Sequence, residues 1–165
     1  MPDTYPPDSE IDLFDRKIID SLREDGRMTV TDLAARVGLS KSPCQVRLRR
    51  LIERGYILGF RAVVDPVKLG LGLTVFVSIE TADHSEDWLE RFADTVSAMP
   101  EVLEFYRMAG DVDYMLRVVV ADMQSYDLFY KKLIGAVALK NVTSRFAMEK
   151  IKSVTALPVP AVEAA

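Results

Sequence analysis

At about residue 70 the apolar residues of this chain change their spacing, from an all-helical pattern to one that opens with a strand. Before that point, Ile11, Phe14, Ile18, Ile19 and Leu22 recur three and four residues apart, the interval that lines one face of an α-helix. After it, Leu73, Val75, Val77 and Ile79 alternate, the interval that lines one face of a strand. The chain therefore divides into two blocks, and its 165 residues suffice for one medium domain or two small ones.

The first block reads as three helices. Asp12 and Asp15 stand in the opening turn of the first, where the helix dipole favours acids, and Gly26 stops it. A second, short helix starts near Thr31, as N-cap, and carries Leu33, Ala34 and Val37. Gly38-Leu39-Ser40 is a tight turn. A third helix runs from about Ser42 to Arg54, with Pro43 allowed in its first turn and Gly55 at its end. Tyr56 to Val64 reads as an extended arm or wing ending at Pro66.

In the second block, Trp88, Leu89, Phe92, Ala93, Val96 and Met99 share a helix face. Val102 to Met108 and Tyr114 to Val120 are strands around the turn Gly110-Asp111. Met123, Tyr126, Phe129, Tyr130, Leu133 and Ile134 line a helix closed by Gly135, and Val142 to Ile151 is a last strand. The order βαββαβ is the ferredoxin-like split pattern. The predicted class is α+β: an N-terminal helix-turn-helix, winged-helix-like domain followed by a C-terminal ferredoxin-like domain. The expected boundaries are a disordered leader over 1–9, the helix-turn-helix over 10–58, a linker or arm over 59–72, the ferredoxin-like domain over 73–158 and a tail over 159–165.

Several function classes drop out. The longest largely apolar stretch, Leu69 to Ile79, is too short to span a membrane, and Met1 to Glu10 lacks the apolar run of a signal peptide. One cysteine and one histidine do not make the usual zinc sites. Asp111-Val112-Asp113 fails as a calcium loop, because Leu116 stands where its glycine is needed and Asp122 replaces the final glutamate. Gly70-Leu71-Gly72 lacks the third glycine of a dinucleotide fingerprint, since Val75 occupies that position. No nucleophile–base pair is evident, so an enzyme is not expected, nor any cofactor. Cys44 reads as a core residue and His84 as a turn residue. The setting expected is a reducing cytoplasm.

Charge is distributed unevenly. Between Arg36 and Arg61 seven basic residues face Glu53 alone, a local charge of +6, whereas 10 basic and 15 acidic residues follow from Ala62 onward. A cationic block on an acidic chain is an electrostatic footprint for nucleic acid. On the third helix, Cys44, Leu48, Leu51 and Ile52 are expected to face inward. Ser42, Gln45, Val46 and Arg49 lie on the opposite face, the one free to enter a major groove. Gln and Arg have the donor geometry for adenine and guanine edges, and Val46 suits a thymine methyl. Lys41, Arg47, Arg50 and Arg54 are expected on phosphates, which set affinity rather than sequence choice.

The run Leu39-Ser40-Lys41-Ser42-Pro43-Cys44, then Arg47-Leu48-Arg49-Arg50-Leu51, Gly55-Tyr56-Ile57-Leu58-Gly59-Phe60 and Asp65-Pro66, closely resembles the DNA-binding half of the leucine-responsive/asparagine-operon (Lrp/AsnC) regulators. The second block resembles that family's companion module for amino-acid metabolism, so the resemblance covers about Ile11 to Pro158. Ala109-Gly110-Asp111-Val112-Asp113-Tyr114 resembles the family's Gly-Asp-x-Asp-Tyr turn, near which small effectors, usually amino acids, bind between dimers. The resemblance implies an effector site at Met108, Gly110, Asp111, Asp113 and Tyr114, with Thr143 and Ser144 from a neighbouring subunit. Gly110 would let backbone N–H groups approach a carboxylate, either aspartate would meet an ammonium, and Tyr114 would form a wall. It also implies double-stranded operator DNA as partner and a homo-oligomer, a dimer assembling to tetramers or octamers. The stretch from Met148 to Pro158 resembles a branch of the family often found beside amino-acid catabolic genes. The rival reading is a metabolite-sensor subunit whose basic helix meets a protein partner instead of DNA.

Overall fold

The computed structural model describes residues 11–153 and Leu157; the leader expected at 1–9 and the tail at 159–165 lie outside these. Among the described residues the chain forms two units. One runs from Ile11 to Val63 and takes in Lys152, Ser153 and Leu157, and the other spans Val64–Ile151.

In the first unit three helices follow one another: α1 Leu13–Glu24, α2 Val30–Val37 and α3 Lys41–Glu53. Each start has a local cause. The Asp12 carboxylate caps α1 by accepting from the N–H groups of Phe14 and Asp15, and Asp15 reaches back to the Asp12 N–H, a reciprocal capping box. Thr29, not Thr31, caps α2, accepting from the Asp32 N–H at 3.2 Å. The Thr-x-x-Asp spacing carries that signal. Gly38 ends α2 in the left-handed region, at φ +78°, where a glycine avoids the clash a Cβ would bring. Ile18, Leu33, Ala34, Val37, Cys44 and Leu51 form the core, with Leu48 packed against it. Ile52, expected inside, is 45% exposed, because it lies a quarter-turn of helix away from Leu51. The expected wing has no strand: residues 54–66 carry no ladder partner, and Leu58, Val63 and Val64 are exposed. Val67–Leu69 is a single 3-10 turn closed by Gly70 at φ +76°.

The second unit runs β1 Leu73–Glu80, α4 Glu86–Ser97, β2 Val102–Arg107, β3 Tyr114–Val120, α5 Met123–Ala136 and β4 Asn141–Phe146. The βαββαβ order is as read. The four strands form one antiparallel sheet in the order β2-β3-β1-β4. Alternate strand residues, Val75, Val77 and Ile79 on β1 with Tyr114, Leu116, Val118 and Val120 on β3, join Trp88, Phe92, Val96, Tyr126, Phe129 and Leu133 from the helices in one core. Both helices therefore cover the same face of the sheet.

Two boundaries of this unit differ from expectation. α5 continues through Gly135 to Ala136, because a glycine inside a helix weakens it without breaking it. Its expected inward residues Met123 and Ile134 are 60% and 45% exposed. β4 ends at Phe146 rather than Ile151, where its pairing with β1 stops at Val75. No helix among the described residues is long and apolar enough to cross a membrane.

Candidate DNA-reading face and effector turn

The turn between α2 and α3 orients everything that follows. Gly38 and Leu39 donate to the Ala35 and Ala34 carbonyls at 3.3 and 2.9 Å, tying up carbonyls that α2 itself leaves open. Beyond its own chain neighbours no atom lies within 4 Å of where a Gly38 Cβ would stand, so the local backbone angle, not crowding by the rest of the unit, demands the glycine. The chain reverses there, and α3 starts at Lys41 with Cys44 and Leu51 buried.

With that side fixed, Ser42, Gln45, Val46 and Arg49 are all exposed. Val46 is 62% exposed, an aliphatic side chain standing among polar ones with nothing of its own unit over it. Lys41 and Arg54 are exposed as well.

Arg47 and Arg50 are placed differently. Arg47 Nη1 bonds Asp12 Oδ2 at 2.6 Å and Asp15 Oδ1 at 2.9 Å, and its guanidinium lies 5.5 Å from the Phe14 ring centroid. Arg50 Nη2 bonds the other Asp15 oxygen. The Asp15 carboxylate is fully buried beneath them. These two arginines, expected on phosphates, are engaged by acids of α1 in the free protein. Arg36 likewise pairs with Glu24. Partial burial works against ionising Asp12, but the Asp15 N–H, the Arg47 guanidinium and the Phe14 N–H outweigh it and hold its pKa below the ordinary aspartate value. The sequence held a signal for this arrangement: two acids three residues apart at the start of α1, and two arginines three apart on α3.

The turn between β2 and β3 spans residues 108–113. The Met108 N–H donates to the Asp113 carbonyl at 2.8 Å, and the Asp113 N–H donates to the Ile79 carbonyl at 3.0 Å. Gly110 has φ +134°, a conformation L side chains rarely adopt. Met108, Gly110 and Asp111 are exposed. Asp113 is half-buried, and its Oδ2 accepts the Thr81 N–H at 2.8 Å, so one of its oxygens already bonds the chain just after β1.

Tyr114, expected as a wall of the site, belongs to the core. It is buried among Phe92, Phe105 and Trp88, with ring centroids 5.1, 5.6 and 5.9 Å away. The reason is periodicity: it shares a strand face with Leu116 and Val118. Thr143 and Ser144 do not meet the turn within one chain, since β1 separates β4 from β3. As adjacent strand residues they also point to opposite faces. Ser144 bonds the Tyr126 hydroxyl on the helix side, whereas Thr143 stands opposite Ser78.

The face of the sheet away from the helices carries groups the sequence reading passed over. Arg117 bonds Glu104 at 2.5 Å, Tyr106 donates to Glu104 at 3.0 Å, and Arg145 donates to the Ser78 hydroxyl at 2.5 Å. The Arg117 guanidinium holds the Glu104 carboxyl below its usual range, against the opposing effect of burial. Phe76 and Tyr106 on this face are 40% and 51% exposed.

Comparison with known proteins matches each unit to a described module. Residues 74–157 match the Lrp/AsnC ligand binding domain, and residues 11–57 match a winged helix-turn-helix DNA-binding domain. The DNA-binding transcriptional activator DecR of Escherichia coli K12 is 50% identical over 150 residues, covering 90% of this chain and 99% of that protein. The crystal structure of an AsnC family transcriptional regulator from Agrobacterium tumefaciens superposes with a TM-score of 0.87 at 53% identity, over 90% of this chain and 97% of that one. A Neisseria meningitidis transcriptional regulator, solved in complex with L-methionine, gives a TM-score of 0.85 at 34% identity over the same shares.

Proposed function

The chain belongs to the Lrp/AsnC family of DNA-binding transcriptional regulators, and from that membership we propose that it reads operator DNA with the outer face of α3 and answers to an amino acid held near the turn 108–113. It acts as a regulator, not as an enzyme.

The observation that carries the DNA reading is the exposed set Ser42, Gln45, Val46 and Arg49 on the helix that follows the Gly38 turn. Gln45 and Arg49 supply paired donors for base edges, Ser42 a hydroxyl and Val46 an apolar contact. Lys41, with Arg54 at the far end of α3, is the phosphate contact. Arg49→Ala should cost about 1–3 kcal/mol on a cognate duplex and relax sequence preference. Lys41→Ala should weaken binding to all duplexes alike and flatten the slope of log K against log salt by about 0.9. Fluorescence anisotropy over a salt series separates the two. If both variants bind like wild type, α3 is not the reading helix.

For the effector, the exposed Asp111 carboxylate is a better partner for an α-ammonium than Asp113, which is partly committed to Thr81. Gly110 leaves room for a carboxylate to reach backbone N–H groups. The relative solved with L-methionine supports an amino acid as the class. At 100 times its Kd a true effector adds about 2.7 kcal/mol of stability. Thermal unfolding against the free amino acids should therefore give a clear upward shift for at least one, abolished in Asp111→Ala. A shift that survives that substitution moves the site elsewhere.

The half-exposed face around Phe76 and Tyr106 supports a homo-oligomer joined through the sheet, since a second copy would cover what the helices do not. Two such protomers present two α3 helices to a two-fold operator. Sedimentation of the free protein tests this, and a monomer at micromolar concentration would end it. The setting inferred is the cytoplasm, where operator DNA lies.

A further inference from the structure

We propose that Asp15 is a positioning residue for DNA reading: its buried carboxylate, gripping Arg47 and Arg50, sets the pose of α3 and thereby the aim of Gln45 and Arg49. This rests on the reading of α3 as the DNA-facing helix.

Asp15 is fully buried, and both of its oxygens are engaged. Its oxygens accept from Arg47 Nη1, from Arg50 Nη2 and from the Asp12 N–H. The two arginines leave α3 three residues apart, so α1 holds α3 at two points about 4.5 Å apart along its axis. Two attachments fix the roll of a helix as well as its distance. Side-chain tips lie about 5–6 Å from a helix axis, so a roll of about 10° displaces them by about 1 Å. The whole range of good hydrogen-bond distances is about 0.5 Å wide. Asp12 and Phe14 close the clamp, the one bonding the Arg47 guanidinium and the other lying beneath it. Because Arg47 and Arg50 are balanced by Asp12 and Asp15, the four groups add no net charge toward DNA. The base-reading side chains Gln45 and Arg49 sit on the adjoining, exposed face of the same helix.

The test uses the full chain and two duplexes. One is selected by the wild-type protein from a randomised pool, and the other is a scramble of it. Asp15→Asn should lower the ratio of selected to scrambled affinity by about 10–100-fold, the loss of one or two aligned base contacts, with scrambled binding retained. Asp15→Glu should recover part of the ratio. Arg47→Gln and Arg50→Gln should lower the ratio too, but leave the salt slope of scrambled binding unchanged, whereas Lys41→Ala flattens it. Should Asp15→Asn not fold, Arg50→Lys, which keeps the charge and loses the fork, carries the same expectation of a lower ratio at constant slope. Equal losses on both duplexes, measured where circular dichroism shows the variants folded, would reduce Asp15 to a purely structural role and overturn the proposal. So would flattened slopes in the arginine variants, which would put Arg47 and Arg50 on phosphates. A wild-type protein that selects no duplex would instead overturn the DNA reading itself.

Discussion

The helical unit and the sheet unit are held together by different means. The sheet unit's core contains five buried aromatic residues, Trp88, Phe92, Tyr114, Tyr126 and Phe129, layered between two helices and alternate strand residues. The helical unit's buried core has no aromatic member among the described residues, only aliphatic side chains and Cys44. It makes up the difference with polar devices: a reciprocal capping box, a left-handed glycine and a buried carboxylate under two guanidiniums. Burial of apolar surface is non-directional, so it sets how stable a unit is more than how its parts are angled. Hydrogen-bonded charge has strict geometry and sets angles. Among the described residues, it is the helical unit that buries such a charge, at Asp15.

The sharpest way to break this contrast is Phe92→Ala. Its ring is fully buried, stacked 4.8 Å from Trp88 and edge-on to Phe105, and its loss should cost the sheet unit about 3–5 kcal/mol. Calorimetry of the full chain should show the sheet transition lowered and the helical one in place. Equal displacement of both would mean that the two cores melt as one.

A smaller effect belongs to the sheet's uncovered face. Phe76→Lys removes no core contact, so it should spare thermal stability while weakening self-association by about tenfold, as loss of one interface anchor does. Analytical ultracentrifugation reads it, and unchanged mass would shift the interface elsewhere.

The smallest effect sharpens the electrostatic side. The Asp12 pKa is depressed in the folded chain, so its contribution is present above the unfolded value, about 3.9, and is lost as pH falls through the folded one. The stability gap between wild type and Asp12→Asn should be fully open above pH about 5 and narrow progressively as pH falls below about 4. A gap independent of pH would mean that the cap acts through its hydrogen bonds alone.

Sequence reading reached the elements through repetition. Val75, Val77 and Ile79 on β1 declare a strand because each repeats the same choice, and Gly38 declares a turn because few residues tolerate its backbone angle. The ends of elements rest on single residues. Hence the sequence points to Thr31 where Thr29 is the cap, and β4 reads on past Phe146 into Met148 and Ile151, both of which stand exposed. The exposed face of α3 was legible because helical spacing follows from Cys44 and Leu51 being inside. What Arg47 and Arg50 touch was not, because an arginine's partner depends on which helix folds against it, and charge counting treats all seven basic residues alike. Tyr114 shows the cost of ranking a motif above periodicity: its alternation with Leu116 and Val118 already assigned it to the core.

Cys44 is the chain's one cysteine and sits wholly inside the helical unit, where burial pushes its thiol pKa up. A thiol so placed reacts only when its surroundings part. The alkylation rate of the native protein is thus a clock for transient opening of the DNA-facing unit alone, readable without engineering in a cysteine. Slower ticking on addition of a duplex or an amino acid would report, from inside the helices, which molecule the unit answers to.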